Sequence, residues 1–237
     1  MIAGVSKAIT QHLAPVLALT SLLLILFSYL APVVMLSSRV ALLSVTPSTS
    51  LVQSNSSQGL DGPTVFMGAL GSCYRPNKET GLVCTSPTVS PTYNLSVLPA
   101  NAPDLLTSPP STSSAFIAVS LAFSFLFFFM FTLTTHRAHL GRAGAPFEKP
   151  MVQRATAWIG FMGFIIGLTS FLVIYMWFGK AVQDFNDDIS KTGSGAPELI
   201  AATSNGFVMV WVGYSFYAVP LVCALAKLHI AATAGKV

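Results

Sequence analysis

The sequence predicts an all-α membrane protein in which four helices form a transmembrane bundle, with a small extracellular β-layer. Only 8% of the 237 residues are charged and 53% are apolar, whereas about a quarter of the residues in soluble domains are charged. Four apolar runs contain no Asp, Glu, Lys, Arg or His, and each reaches the roughly 20 residues that cross a bilayer. The runs are Leu13–Leu36, Ala115–Thr134, Ala157–Phe178 and Asn205–Ala226.

The first of these runs has two interpretations. Lys7 precedes it, as a basic residue precedes the apolar region of a secretory signal peptide. The run is 24 residues long, however, and signal peptides use about 7–15 apolar residues. Its best small residue for cleavage, Ala31, is followed by Pro32. We therefore expect a retained membrane helix.

The basic residues predict the orientation of the chain, because cytoplasmic loops are enriched in Lys and Arg. Arg137, Arg142, Lys149 and Arg154 lie between the second and third runs and are opposed only by Glu148. The other two loops hold seven of the eight acidic residues. Both termini are therefore expected in the cytoplasm. The formal net charge of +4 reflects this bias, and no nucleic-acid partner is expected because no groove-reading motif is present.

This orientation divides the chain into nine expected segments. They are a cytoplasmic N-terminus (1–12), a first membrane helix (13–36), an extracellular loop (37–113), a second helix (114–134), a basic cytoplasmic loop (135–156), a third helix (157–178), an acidic extracellular loop (179–204), a fourth helix (205–226) and a cytoplasmic C-terminus (227–237).

The first loop has the composition of an extracellular segment. It is rich in Ser, Thr and Pro, a bias typical of glycosylated stalks. Asn55-Ser56-Ser57 and Asn94-Leu95-Ser96 are N-glycosylation sequons. Both sequons lie on the side that the charge bias places outside, so Asn55 and Asn94 are predicted glycosylation sites.

Cys73 and Cys84 are the two cysteines outside the apolar runs. In an oxidising compartment, a cysteine pair in a loop-rich segment predicts a structural disulfide. A redox or metal pair is the alternative, but it would normally show a CxxC motif or nearby histidines. We interpret the surrounding segments as strands near 40–46, 63–70 and 80–85, with a turn at 76–78 and an optional further strand from the second loop.

Two glycines, Gly68 and Gly71, precede the first cysteine of this pair. Glycine permits a positive φ or a close backbone approach, so a bulge that directs Cys73 inward is one interpretation of the pair. Simple loop flexibility is the other.

The pattern Gly68-x-x-Gly71-x-Cys73, followed by Cys84, resembles the fungal low-affinity calcium-uptake and mating-fusion regulator family. That family is similar to the wider claudin-like tetraspan superfamily, with its PalI-type and eisosome-associated members. Claudins carry a Gly-Leu-Trp turn, whereas Leu70 stands at the position of that tryptophan. The resemblance implies an accessory protein of the fungal plasma membrane that acts in calcium influx and cell fusion. The alternative that it leaves open is a structural or sensing component of a membrane microdomain.

The resemblance also defines the expected partners, which are the lipid bilayer and a second membrane protein such as a channel or a fusion or scaffold complex. A homo-oligomer is a further alternative. Enzymatic motifs are absent from the sequence, so no enzymatic activity, cofactor or metal centre is expected.

Two further sets of residues are candidates for intermolecular contacts. Gly160, Gly163 and Gly167 in the third run form a small-residue face, which either packs within the bundle or contacts another membrane protein. The second loop carries acidic residues that either attract cations such as Ca²⁺ or are simply solvated. They are Asp184, Asp187, Asp188 and Glu198.

Overall fold

Four long helices dominate the computed structural model, which describes residues 9–47, 63–76, 81–137, 141–193 and 197–234. All four are long and apolar enough to cross a membrane by length and composition, as the prediction of a multi-pass membrane protein in a lipid bilayer requires. Their bounds are Ala14–Leu30 (α1), Ser111–Thr135 (α2), Pro150–Thr192 (α3) and Asn205–Ala234 (α4). A π-helical turn, Ile9–Leu13, leads into α1, and a 3₁₀ helix, Gly141–Glu148, lies between α2 and α3.

The fold is mostly helical but not all-α, because it also contains a five-stranded antiparallel sheet. Its order is β4-β3-β2-β1-β5, so the segment before α4 supplies one edge, which corresponds to the optional further strand predicted from the second loop. The strands are Leu43–Pro47 (β1), Thr64–Met67 (β2), Ser72–Arg75 (β3), Val83–Cys84 (β4) and Leu199–Thr203 (β5).

The sequence interpretation missed β3 as a separate strand. It placed one turn at 76–78, between strands near 63–70 and 80–85. In the structure the glycine segment itself turns the chain, and β3 pairs with β2 from Thr64↔Arg75 to Met67↔Ser72. Most of the predicted turn lies outside the described residues, which omit 77–80.

The prediction that α3 ends at 178 and a loop follows is wrong. The helix spans 43 residues, or about 65 Å, and continues to Thr192. Phe178, Ala181 and Phe185 are buried at helical spacing, so one side of the extension is apolar and helical periodicity persists beyond the membrane segment. Within the predicted loop 179–204, only the residues between Thr192 and Leu199 connect the helix to β5.

The predicted ends of the other helices also shift. The helical part of α1 stops at Leu30, six residues before the predicted end at Leu36, and α2 begins at Ser111 rather than near 114. The segment 135–156, predicted as a loop, contains the 3₁₀ helix and the first turns of α3. Hydropathy locates the apolar centre of a helix, whereas polar end residues extend it or stop it.

The chain forms two compact units. Unit 1 consists of the described residues within Met1–Leu26, Phe116–Thr169 and Val210–Val237, and unit 2 of those within Phe27–Ala115 and Ser170–Met209. Buried aromatic side chains fill the core of unit 1: Phe127 lies 5.4 Å from Phe131 and 5.3 Å from Tyr217 between ring centroids. The buried residues Ala14, Ala157, Leu221 and Ala224 complete this core.

The small-residue face of α3 packs within unit 1. A Cβ added at Gly160 would lie 2.5 Å from the Phe127 ring, and one added at Gly163 would lie 3.1 Å from Phe123 Cβ. At Gly167 the same atom would overlap the hydroxyls of Ser120 and Tyr214. The glycines thus let α2 and α4 approach α3 closely. Of the two interpretations of this face, the structure corresponds to packing within the bundle.

Substituting this face should therefore destabilise the isolated protein. Gly160→Leu forces the Phe127 ring to move, and overpacking of this kind costs about 1–3 kcal/mol. Gly179→Leu is the matched control on the same helix, because an added Cβ there meets no atom within 4 Å. Thermal unfolding in mild detergent should show a lower Tm for Gly160→Leu alone; equal values for the two variants would contradict the packing described.

Candidate functional site: the glycine turn and its cystine

The segment Gly68-Ala69-Leu70-Gly71, termed here the glycine turn, connects β2 to β3 in unit 2. The Gly68 N–H donates to Gly71 O at 2.9 Å and closes the turn. Ala69 is fully buried, Leu70 is 7% exposed, and Cys73 beyond the turn is fully buried. A buried turn is unusual, because its backbone polar groups lose water and must find partners inside the protein.

Both glycines are required by the space around them. A Cβ at Gly68 would overlap the Ala31 carbonyl and lie 2.6 Å from Pro32 Cδ, so the turn contacts the segment that follows α1. Gly71 has a φ of +154°, which L side chains rarely adopt, and a Cβ there would lie 2.5 Å from Thr85 Oγ1. Close approach explains Gly68, and close approach together with positive φ explains Gly71.

Three carbonyls of the glycine turn accept hydrogen bonds from two parts of the chain, the segment after β4 and the first turn of α2. These donors satisfy groups that would otherwise cost about 1–3 kcal/mol each when buried without a partner. The bonds run from the Tyr93 hydroxyl to Gly68 O (2.8 Å), from Ser114 Oγ to Ala69 O (2.7 Å), and from the Thr88 N–H to Leu70 O (2.9 Å).

Two of these donors are themselves held in place. The Tyr29 hydroxyl donates to Ser114 O at 3.1 Å, which links the end of α1 to the first turn of α2. The Tyr93 ring lies 6.3 Å from the Phe178 ring of α3. Burial raises the pKa of Tyr93 above its ordinary value, so its hydroxyl remains a donor to Gly68 O at neutral and moderately alkaline pH.

The predicted disulfide between Cys73 and Cys84 is present and joins directly paired residues of β3 and β4. Cys73 is fully buried, whereas Cys84 lies on an exposed two-residue edge strand. Thr85 extends this attachment, since its N–H donates to Ser72 O at 2.9 Å and its Oγ1 accepts from the Ser72 N–H at 3.0 Å. Closing so short a loop removes about 3 kcal/mol of unfolded-state entropy.

The chemistry available at this site is structural. A cystine has no thiolate to act as nucleophile or metal ligand. Within the described ranges, no three His, Cys, Asp or Glu side chains come close enough to hold a metal ion. The turn, the cystine and their donors instead fix the positions of β2, β3, β4 and the segment that follows β4.

The predicted cation-attracting residues are not brought to the cystine. Asp184, Asp187 and Asp188 lie on the α3 extension, and Glu198 immediately precedes β5. Asp184 pairs with Lys180 one helical turn away, while Asp187, Asp188 and Glu198 are exposed. This arrangement corresponds to a solvated acidic surface with one local ion pair.

The structure describes only one of the two predicted glycosylation sites. Asn55 lies outside the described residues. Asn94 is partly exposed, and its Oδ1 accepts from the Ser96 N–H at 3.0 Å and from Ser96 Oγ at 2.6 Å. The Asn94 N–H donates to Ser72 Oγ at 3.1 Å, so the sequon is anchored beside the glycine turn.

Sequence reasoning missed the donors that surround the turn. Tyr93 stands among Ser, Thr and Pro, where a lone aromatic residue is a signal for local burial. Ser114 lies at the start of an apolar run, and no sequence feature distinguishes it from the serines beside it. Asn186 was also missed: its side chain bonds both the N–H and the carbonyl of Ala201, each at 2.9 Å, and so covers part of the β5 edge.

Comparison with known proteins leaves the family open. No protein-family model matches the chain, and no curated protein matches it significantly. The class defined by the structure is therefore a multi-pass membrane protein with four candidate membrane-spanning helices and a disulfide-linked antiparallel sheet.

Replacing Gly68 should disrupt unit 2, whereas replacing another glycine of the same loop should not. Gly68→Ala places a methyl group against the Ala31 carbonyl and the Pro32 ring, with an expected cost of about 1–3 kcal/mol. Gly81→Ala is the matched control because Gly81 is exposed and an added Cβ meets no atom within 4 Å. Its effect should stay within about 0.5 kcal/mol.

Chemical or thermal unfolding of the purified variants measures this difference. A Gly68→Ala protein as stable as Gly81→Ala would show that the turn does not pack against the end of α1.

Proposed function

We propose that the protein is an accessory or regulatory tetraspan of the fungal plasma membrane that acts in calcium influx and mating-cell fusion by associating with other membrane proteins. The observation that carries this proposal is the glycine turn with its cystine, in a four-helix chain. Its spacing is that of the calcium-uptake and mating-fusion regulators that the sequence resembles. The sheet with strands from both loops supports the same comparison.

The membrane segments favour an accessory role over transport by this chain alone. Between Arg154 and Lys180, α3 carries no charged residue or histidine, and coupled transporters usually place such residues within their helices. Two buried hydroxyls of unit 1 bond to the backbone of α3: Ser120 Oγ donates to Gly163 O at 3.0 Å and the Tyr217 hydroxyl to Gly160 O at 3.2 Å. Because these hydroxyls connect helices, we assign them a structural role. We assign the activity in calcium influx and fusion to the complex that the protein joins.

The proposed orientation follows from how charge is divided between the units. The sequence segments of unit 1 contain seven Lys and Arg residues against one acidic residue, whereas those of unit 2 contain five against seven. The bias of cytoplasmic segments toward Lys and Arg supports cytoplasmic termini and an extracellular sheet.

A glycan at Asn94 tests this orientation. The wild-type protein from a eukaryotic host should run faster on a gel after treatment with an N-glycosidase, because the sequon would face the lumen during synthesis. Asn94→Gln and Ser96→Ala should each remove one increment of that shift, whereas Asn101→Gln, outside any sequon, should not. An unmodified Asn94 in a correctly folded protein would contradict the proposed sidedness.

Deletion of the encoding gene tests the function. We expect lower calcium uptake in pheromone-treated cells and fewer fused mating pairs, both restored by the wild-type chain and by Gly81→Ala but not by Gly68→Ala. Normal uptake and fusion, with the protein in static patches of vegetative cells, would contradict the proposal and favour the microdomain component.

A further inference from the structure

The two cysteines of the cystine differ in their access to solvent. Cys73 is fully buried, whereas Cys84 is exposed and lies on the two-residue edge strand β4. The disulfide joins directly opposed residues of β3 and β4, so one half of it belongs to the interior of unit 2 and the other half to its surface. A dissolved reagent therefore approaches the cystine from the Cys84 side.

This difference in access selects which sulfur reacts. Although a cystine carries no nucleophile, an external thiolate can attack either of its sulfurs and displace the other. Attack on Cys73 would expel the exposed cysteine, whose charge water solvates, but solvent does not reach Cys73 in the folded protein. The attack is therefore directed to Cys84, and Cys73 is the leaving group.

The surroundings of Cys73 suit the protonated thiol that this attack releases. A buried thiolate would lack the water that solvates its charge, so the departing sulfur takes up a proton. Cys73 Sγ lies 3.5 Å from Pro32 O, and this carbonyl can accept a hydrogen bond from the new S–H group. On the side of the sheet away from β4, Cys73 pairs with Phe66 of β2. These contacts do not require β4 to stay in place.

The edge strand β4 has little besides the cystine to hold it. It pairs with β3 over only two residues, Val83 and Cys84, and both are exposed, so the strand buries little apolar surface. The chain beyond β4 has an attachment that does not involve the cystine, because the Thr88 N–H donates to Leu70 O at 2.9 Å. Opening the cystine should therefore release β4 while the glycine turn keeps its donors.

We propose that Cys84 is a thiol–disulfide exchange site, at which an external low-molecular-weight monothiol forms a mixed disulfide and detaches β4. The attacking thiolate bonds to the Cys84 sulfur, and the bond to Cys73 breaks with its electron pair on Cys73, which takes a proton from solvent. A second thiolate then attacks the external sulfur of the mixed disulfide and releases Cys84, which also takes up a proton. In sum, two monothiols are oxidised to their disulfide and the cystine is reduced to two thiols. The proposal is independent of the role in calcium influx.

Brief treatment of the full-length protein in mild detergent with reduced glutathione tests the site. After an acid quench, peptide mass spectrometry should find glutathione on Cys84 and a free thiol at Cys73. Cys223, the free cysteine of α4, should stay unmodified because it offers no disulfide to attack. Glutathione mainly on Cys73, or a cystine that exchanges only in urea, would overturn the proposal. Unchanged hydrogen-exchange protection of residues 83 and 84 in the modified protein would contradict the detachment of β4.

Two single substitutions form a matched pair that measures access at each cysteine. Cys73→Ser leaves the exposed cysteine as a free thiol, and Cys84→Ser leaves the buried one. In the folded proteins, a polar maleimide should label the remaining cysteine of Cys73→Ser at least about tenfold faster than that of Cys84→Ser, because access limits the reaction of a buried thiol. In urea the two should react alike. Equal rates in the folded proteins would contradict the proposal, and the wild-type glutathione experiment decides it if either variant fails to fold.

Discussion

Unit 2 depends on the burial of a polar turn whose carbonyls all find donors within the protein. Burying a peptide group without a hydrogen bond is costly, and the glycine turn buries several at once. Its donors come from the end of the first loop and from the first turn of α2, and Gly68 allows the backbone to contact the segment after α1. Sheet and helix ends are thus joined by one set of hydrogen bonds, in addition to the apolar side chains that are buried in unit 2.

Other polar contacts of unit 2 follow the same principle. Gly206, at the start of α4, donates its N–H to Ala41 O at 2.9 Å, and the Asn205 side chain donates to Arg39 O at 2.7 Å. These bonds fix the segment before β1 against the beginning of α4. The cystine attaches the edge strand β4 to β3, and the glycine turn positions β3.

Sequence reasoning identified the features that depend on composition and failed where partners come from distant parts of the chain. Four charge-free runs are sufficient to predict the membrane helices, and paired cysteines in an oxidising loop are sufficient for the disulfide. The α3 extension was predictable in principle from Phe178 and Phe185. The roles of Tyr93 and Ser114 were not, because a hydroxyl becomes essential only when the fold brings a buried carbonyl to it. The same applies to β3, whose pairing is determined by the turn and not by strand propensity.

Hydrogen exchange in the purified protein, before and after reduction of the cystine, is the most direct test of the central claim. That claim is that the structure of unit 2 depends on the glycine turn. We predict that the amides of 67–73 exchange slowly in both states, whereas those of 83–85 become fast after reduction, since β4 then loses its covalent attachment. Fast exchange across 67–73 in the oxidised protein, or a simultaneous loss of protection in both segments on reduction, would contradict the account.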